Sequence, residues 1–244
     1  MKEGIVGRQV NIDKSYTFIK GIFIGRGWQS SLRALSYMRE CHKMKDRDGG
    51  QPYWVHPLMM ASRAISIADP IITDYTMSVI LLHDVPEELG RPAKELPFPE
   101  KVCYGVDCMT LVYEGNETLA QKYLVKQMYY SKMLTSLEAV IAKGFDKYDN
   151  LITMSPEQSP SFTPDRIRKN VVEAEILTLM TLKKAKAIWP EASNVIYLLQ
   201  DMIRSRNDDL ALRYGVKLRD KNFINPPTAK DYSYLLTGEN APME

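Results

Sequence analysis

Several features that mark particular classes of protein are scarce in this 244-residue sequence. Cysteine occurs three times, and the spacings of Cys41, Cys103 and Cys108 match neither a zinc ribbon nor a disulfide scaffold, which favours a reducing compartment. No segment approaches the roughly 18 consecutive apolar residues of a membrane span, and charges and glycines interrupt the N-terminal region before it forms a signal-peptide core. We therefore expect a soluble, cytoplasmic protein that does not act at a membrane.

A marked excess of charge of either sign is also missing. The chain has 32 Lys and Arg residues against 30 Asp and Glu residues, a net charge of +2. Such a balance creates no overall field that attracts nucleic acid, so specific nucleic-acid binding is not expected and any basic patch must be local. Hydrophobic residues make up 45% of the chain, which is ordinary for a globular protein with one main domain.

Strand-like alternation is confined to the N-terminal region, and helical spacing dominates elsewhere. Residues 1–27 contain two short β-branched runs, which predict a β-hairpin or an irregular extension. From residue 28 the apolar residues recur at helical steps, with Ser30 or Ser31 as a candidate N-cap of the first helix. A second helical pattern begins at residues 56–57. Further patterns cover residues 73–88, 101–112, 118–130, 131–150, 164–189 and 192–213. These patterns predict an all-α bundle of about eight helices.

The same patterns predict the organisation of the chain. We expect an N-terminal extension over residues 1–27 and a main domain over residues 28–190. Residues 191–244 are predicted to form a C-terminal helical extension and a tail, of which residues 225–244 are loosely packed. No internal repeat is visible in the sequence.

Histidine is as scarce as cysteine, yet two of the three histidines lie at predicted helix ends. His56 precedes Pro57, and His83 precedes Asp84 directly after the apolar run of residues 77–82. A carboxylate in an apolar setting normally finds a cation, a hydrogen-bond partner or a metal, because burying it alone is costly. Imidazole and carboxylate together are ligands of divalent transition metals, so the His-Asp pair indicates a metal site.

Acidic residues recur near this pair and again further along the chain. Glu87 and Glu88 follow His83 and Asp84 by four residues each, so they lie one helical turn further on the same faces. A carboxylate beside a metal can take a proton from the bound water. In the segment KGFDKYDNL (143–151), two aspartates and an asparagine share a helical face: Asp146, Asp149 and Asn150.

Three segments in this order resemble the HD-domain metal-dependent phosphohydrolases. GGQPYWVHP (49–57), LLHDVPEE (81–88) and KGFDKYDNL (143–151) are similar to the family segments TPYxxHP, LLHDxxED and KLADRLxN. Within that family the resemblance is to the hydrolase domain of the RelA/SpoT alarmone enzymes, and to its small stand-alone forms, over roughly residues 30–190. It implies an HD-domain helical bundle that acts on a small-molecule nucleotide.

The resemblance also implies roles for particular residues. It places the metal ligands on His56, His83, Asp84 and Asp146, with Mn²⁺ as the expected metal and another divalent transition metal as the alternative. It places the acidic pair that handles the attacking water on Glu87 and Glu88. It places the contacts to the nucleotide and its phosphates on Lys45, Arg47, Tyr53 and Asn150, with Trp54 as a further pocket residue.

The sequence departs from the family pattern at several of these segments. Glu88 stands where the family has Asp, which adds one methylene to the second acid. In the last motif, Gly144 is expected to weaken the helix, and Asp149 replaces a residue that is commonly His or Tyr. Asp46 and Asp48 interrupt a normally basic run, which is expected to weaken the grip on an anionic substrate.

The resemblance implies hydrolysis of the 3′-diphosphate of guanosine tetra- or pentaphosphate, which gives GDP or GTP and pyrophosphate. Two related substrates remain open at this point, namely the 2′-phosphate of NADPH and deoxynucleoside 5′-monophosphates. The altered acidic pair and last motif also leave open a metal-binding regulatory module without turnover.

Overall fold

Eleven α-helices form the part of the chain that the structure describes, which is residues 11–47, 50–113, 115–116, 118–157 and 159–218 of a computed structural model. The helices are α1 (Ile12–Gly25), α2 (Gln29–Cys41), α3 (Val55–Ile67), α4 (Asp74–Leu82), α5 (Val85–Leu89), α6 (Glu100–Met109), α7 (Leu119–Met133), α8 (Leu137–Thr153), α9 (Pro164–Glu173), α10 (Leu179–Ile188) and α11 (Ser193–Tyr214). Within these ranges no β-strand occurs, so the predicted all-α fold is confirmed. None of these helices combines the length and the hydropathy needed to cross a bilayer.

Helix α4 forms the centre of the bundle. Its apolar run, residues 77–82, is fully buried, because the helix packs against α2, α3, α6 and α8. A helix that is apolar on all sides is stable only when other elements surround it. The end of α4, where His83 and Asp84 follow, therefore lies inside the bundle and not at its surface.

Helix α8 packs on α4 and α11 and carries the last of the three motifs. Gly144, expected to weaken this helix, lies inside a continuous run from Leu137 to Thr153. A Cβ atom at Gly144 would lie 2.8 Å from Cδ1 of Leu199 on α11. The glycine thus permits the close approach of α11 to α8, and this packing holds the helix in place.

The N-terminal prediction was wrong for the residues that the structure describes. Residues 12–25 form helix α1 and not a hairpin, with Asn11 accepting a hydrogen bond from the Lys14 amide as N-cap. Ile19 and Phe23, four residues apart, are fully buried against the core. The spacing of these contacts outweighs the β-propensity of the branched residues. Residues 1–10 and the predicted tail, 225–244, lie outside the described residues.

Two helix boundaries also differ from the prediction. Helix α2 begins at Gln29, and the amides of Ser30 and Ser31 donate to the carboxylate of Asp74 on α4 at 3.1 and 2.7 Å. The cap thus comes from a distant helix and not from a local serine. The predicted helix over residues 164–189 is divided into α9 and α10 by one π-helical turn, Ala174–Thr178.

Candidate metal centre

The break between α4 and α5 presents His83 and Asp84 to the interior. Pro86 has no amide hydrogen, so it cannot donate to the carbonyl of Leu82 and the helix cannot run on uninterrupted. The prediction of one helix over residues 73–88 was therefore wrong at this point. The Nδ1 of His83 donates to the carbonyl of Ile80 at 2.9 Å, which leaves Nε2 directed away from its own helix.

Three helical regions bring two imidazoles and a carboxylate together. His56 in the first turn of α3, His83 after α4 and Asp146 on α8 each offer a ligand atom, and these atoms lie within 4.8 Å of one another. Oδ1 of Asp146 is 3.3 Å from Nε2 of His56 and 3.9 Å from Nε2 of His83. All three residues are buried. These residues could hold a divalent metal ion.

One atom of this group has no hydrogen-bond partner. Nε2 of His83 is buried and faces carboxylate oxygens of Asp84 and Asp146, yet it forms no hydrogen bond of normal geometry. Buried polar atoms are nearly always bonded, so an orphaned imidazole nitrogen requires an explanation. In a metal site, the lone pair of a ligating imidazole nitrogen is directed at the ion and needs no hydrogen-bond donor. The unbonded Nε2 of His83 therefore agrees with a metal position at this group.

Asp84, the fourth predicted ligand, lies beside this three-residue group without being part of it. Its Oδ2 is 3.1 Å from Nε2 of His83 and accepts a hydrogen bond of 2.7 Å from the hydroxyl of Tyr53. Burial raises the pKa of the Asp84 carboxyl, but the neighbouring His83 outweighs burial and holds it well below its ordinary value. The assignment of Asp84 as a ligand stays a prediction.

The carboxylates make this region favourable for positive charge. Burial lowers the pKa of His83, but Asp84 and Asp146 outweigh burial and raise it to about 9. Burial also raises the pKa of Asp146, yet Lys143 and the histidines hold it well below its usual range. The site thus favours a cation, and metal binding must displace the protons from the imidazoles.

Asp149 contacts Nδ1 of His56, the ring nitrogen opposite the one that faces Asp146. Its Oδ2 lies 2.5 Å from Nδ1 of His56, and its other oxygen accepts a hydrogen bond from Arg63. A carboxylate on the remote nitrogen of a ligating histidine fixes the tautomer and makes the ligand more basic. Asp149, which the sequence marked as a departure from the family motif, is therefore placed to position His56 if His56 binds a metal.

Replacing Asp149 with Asn is expected to weaken metal binding by about 10- to 100-fold, as loss of such outer partners does. The amide keeps the shape of the side chain but removes the charge that raises the basicity of His56. Calorimetric titration of the chelator-treated protein with Mn²⁺ measures the effect. Asp209→Asn is the matched control, because Asp209 pairs with Arg206 on the surface of α11. Equal affinities for the two variants would contradict the assignment.

The predicted nucleotide-binding residues lie around the same group. Nδ2 of Asn150 donates to Oδ1 of Asp146 at 2.6 Å, and Arg47 in turn donates to Oδ1 of Asn150 at 3.1 Å. Tyr53 reaches Asp84, as described above, and Lys45 lies 4.8 Å from the centroid of the Tyr53 ring. Their role in substrate binding stays a prediction.

The two predicted catalytic glutamates have different environments. Glu87 is exposed where a cavity opens beside His83, Asp84 and Asp146. Burial of its carboxyl and the nearby Asp84 raise the pKa of Glu87. Glu88 instead forms an ion pair with Lys45. The structure therefore brings Glu87 to the candidate metal centre and turns Glu88 towards a basic partner.

The cavity beside the candidate metal centre has a volume of about 180 Å³. The proposed ligands His83, Asp84 and Asp146 form part of its lining. The other lining residues are Glu87, Met109, Leu111, Lys126, Tyr129, Tyr130, Lys143 and Glu173. Apart from Glu87, the charged and aromatic members were missed in the sequence, because they come from three different helices, α7, α8 and α9. The spacing of Lys143 before Asp146 was the one available signal, since three residues place both on one face.

Glu173 holds the lysines near this cavity in place. It accepts hydrogen bonds from Lys126 at 2.7 Å and from Lys147 at 3.1 Å, and both lysines are buried. Burial raises the pKa of the Glu173 carboxyl, but Lys147 and Lys126 outweigh burial and hold it well below its ordinary value. A carboxyl of this kind stabilises the fold above its unfolded pKa of about 4.3 and loses that contribution as the pH falls.

Glu173→Gln is therefore expected to reduce the free energy of unfolding by about 3 kcal/mol at pH 7, because it leaves two buried ammonium groups without their carboxylate. The difference from the parent protein should shrink as the pH falls below about 4, because there the carboxyl takes up a proton in the unfolded parent chain while it stays ionised in the folded one. Urea denaturation at a series of pH values measures both quantities. A difference that stays constant down to acid pH would show that the charge of Glu173 is not its source.

The comparisons with known proteins give one distant relative. Over 166 residues, which are 64% of this chain, the sequence is 26% identical to a protein of Borreliella burgdorferi named guanosine-3′,5′-bis(diphosphate) 3′-pyrophosphohydrolase. The chain spans about a quarter, 24%, of the length of that relative. No protein-family model matches the chain, and no solved structure is significantly similar to it.

Proposed function

We propose that this protein is a metal-dependent phosphohydrolase and that its substrate is guanosine tetra- or pentaphosphate, hydrolysed at the 3′-diphosphate. The carrying observation is the buried group of His56, His83 and Asp146, with an orphaned imidazole nitrogen. The resemblance of the three motifs and the activity named for the distant relative support the choice of reaction.

The metal would be held by His56, His83 and Asp146, with Asp84 beside them, and we propose Mn²⁺ as the ion. Carboxylate oxygens suit Mn²⁺ and imidazole nitrogens suit other divalent transition ions, so the choice of Mn²⁺ rests on the resemblance of the motifs. When bound, such an ion polarises a phosphoryl oxygen and lowers the pKa of bound water.

The side chains around the ligands would bind the nucleotide and move the proton. Glu87, at the mouth of the cavity and with a raised pKa, takes the proton of the attacking water. The water oxygen adds to the phosphorus, the bond from phosphorus to the 3′ oxygen breaks, and the 3′ oxygen takes up a proton. GDP or GTP and pyrophosphate are then released. Arg47 and Asn150, which are hydrogen-bonded to one another beside Asp146, would bind the nucleotide.

Product release from a panel of nucleotides tests the proposal. Purified protein is incubated with guanosine tetraphosphate, NADPH and deoxynucleoside 5′-monophosphates, each with Mn²⁺ and with a chelator. We expect metal-dependent release of pyrophosphate from guanosine tetraphosphate. Phosphate release from NADPH or a deoxynucleotide alone would replace the substrate but keep the chemistry. No release from any nucleotide by Mn²⁺-loaded protein would contradict the proposal and favour a metal-binding module without turnover.

A further inference from the structure

The cavity beside the candidate metal centre carries two lysines that the proposed reaction does not use. Lys143 lies on the face of α8 next to the metal ligands, and its Nζ donates to Oδ2 of Asp146 at 2.8 Å. Lys126 comes from α7 and pairs with Glu173. Both side chains are largely buried, 15% and 11% exposed, so neither charge is dispersed into solvent.

These ammonium groups retain donors that can serve a ligand. Each lysine carries three N–H donors. Among the described residues, Lys126 donates only to Glu173, which leaves donors for a group inside the cavity. Shielded from water, a charge-assisted hydrogen bond from such a donor to a phosphate oxygen is strong and short.

The cavity is larger than one attacking water molecule requires. Its volume, about 180 Å³, is far larger than the roughly 10–15 Å³ that one water needs. A single attacking water fills a small part of that space. The remainder has room for a further anionic group of a substrate whose reacting phosphorus lies at the candidate metal centre.

The two lysines differ in whether they contact the proposed metal ligands. Lys143 touches Asp146 directly, whereas Lys126 is bonded to Glu173 and touches none of the proposed ligands among the described contacts. A phosphoryl group at the ligands is therefore closer to Lys143. Lys126 lines the same cavity as these ligands, so a second phosphate attached to the first could reach it.

We propose that Lys126 and Lys143 bind the distal phosphate of a diphosphate group whose proximal phosphorus is attacked by water, so that this cavity selects diphosphate over monophosphate substrates. The inference rests on the proposed function and adds the residues that determine which phosphate ester is accepted. It assigns Lys126 a specificity role, while Glu173 holds the lysine in position.

Binding of inorganic pyrophosphate and of inorganic phosphate to Mn²⁺-loaded protein tests this role without turnover. We expect Lys126→Met to weaken pyrophosphate binding by about tenfold or more, the loss of one charged hydrogen bond, and phosphate binding by less than about threefold. Lys126→Arg should restore most of the pyrophosphate affinity. Lys132→Met, on the same helix but paired with Asp107 at the surface, is the matched control and should change neither affinity.

Lys126→Gln provides the same test if the methionine variant does not fold, because glutamine keeps a hydrogen bond to Glu173 while it removes the charge. Unchanged pyrophosphate binding in a folded variant, or equal losses for pyrophosphate and phosphate, would overturn the inference. Failure of the proposed function gives a different result, since the parent protein would then release no pyrophosphate from guanosine tetraphosphate. A parent that hydrolyses guanosine tetraphosphate, with no effect of Lys126, refutes the diphosphate subsite alone.

Discussion

The Asp146→Asn protein is expected to bind Mn²⁺ more than about 100-fold more weakly than the parent, because loss of an outer partner alone costs about 10- to 100-fold. Oδ1 of Asp146 is the oxygen that faces both His56 and His83, at 3.3 and 3.9 Å. An amide cannot supply the negative charge that a divalent ion requires there. Hydrolysis should fall with the metal affinity when Mn²⁺ is limiting.

Calorimetric titration of chelator-treated protein gives the affinity, and thermal unfolding shows whether the variant keeps its fold. Asp107→Asn is a suitable control, because Asp107 pairs with Lys132 at the surface of the same bundle. Asn at position 146 can still accept a hydrogen bond from Lys143, so the α8 contacts are disturbed as little as possible. A folded Asp146→Asn protein with the affinity of the parent would remove the aspartate from the ligand set.

Glu87→Gln is expected to lower kcat by about 10²- to 10⁴-fold, the usual contribution of a positioned general base. Glu87 lines the cavity that also contains the proposed ligands, and its raised pKa suits a group that takes up a proton. Glutamine preserves the size of the side chain but cannot accept that proton. Metal affinity should change little, because Glu87 lies outside the three-residue ligand group.

Glu88→Gln is the paired measurement, and we expect it to affect kcat much less. The carboxylate of Glu88 is engaged by Lys45, so its removal releases a lysine and does not remove a base from the cavity. Initial rates at saturating substrate and saturating Mn²⁺ separate these effects from binding. A larger loss of kcat for Glu88→Gln than for Glu87→Gln would exchange the two roles.

The central helices of the fold could be predicted from the sequence because their signals are local and strong. The apolar run of residues 77–82 identifies a buried helix without reference to any other element, and the structure surrounds it with four helices. The sequence also indicated that His83 and Asp84 need a partner, since burial of such a pair is costly. That His56 and Asp146 join His83 was implied only by the resemblance of the three motifs, and the structure brings these residues together.

The remaining features depend on contacts between distant segments. The region of helix α1 was predicted as a hairpin or an irregular extension because its branched residues favour strands, and only packing of Ile19 and Phe23 on the core decides otherwise. The cap that Asp74 gives to α2 spans 43 residues and has no local signal. Asp149 acquires a role only when α3 brings His56 to it.

The cavity is the clearest case of a feature without a sequence signal. Lys126, Lys143 and Glu173 come from three helices, and each is an ordinary residue in its own helical pattern. Buried lysines are exceptional only once their burial is known. The domain boundaries at residues 27 and 190 stay predictions. Helix α11 lies beyond the second boundary, yet it packs on α8, the helix that carries the proposed metal ligand Asp146.

Metal-dependent hydrolysis is tested most directly by titrating chelator-treated protein with Mn²⁺ while pyrophosphate release from guanosine tetraphosphate is recorded. We predict no release in the absence of metal and a rate that rises with Mn²⁺ to a plateau in the parent protein. The Asp146→Asn protein should require far more metal to reach any measurable rate. Release that is undiminished by the chelator, or a parent that binds Mn²⁺ and releases nothing, would contradict the account.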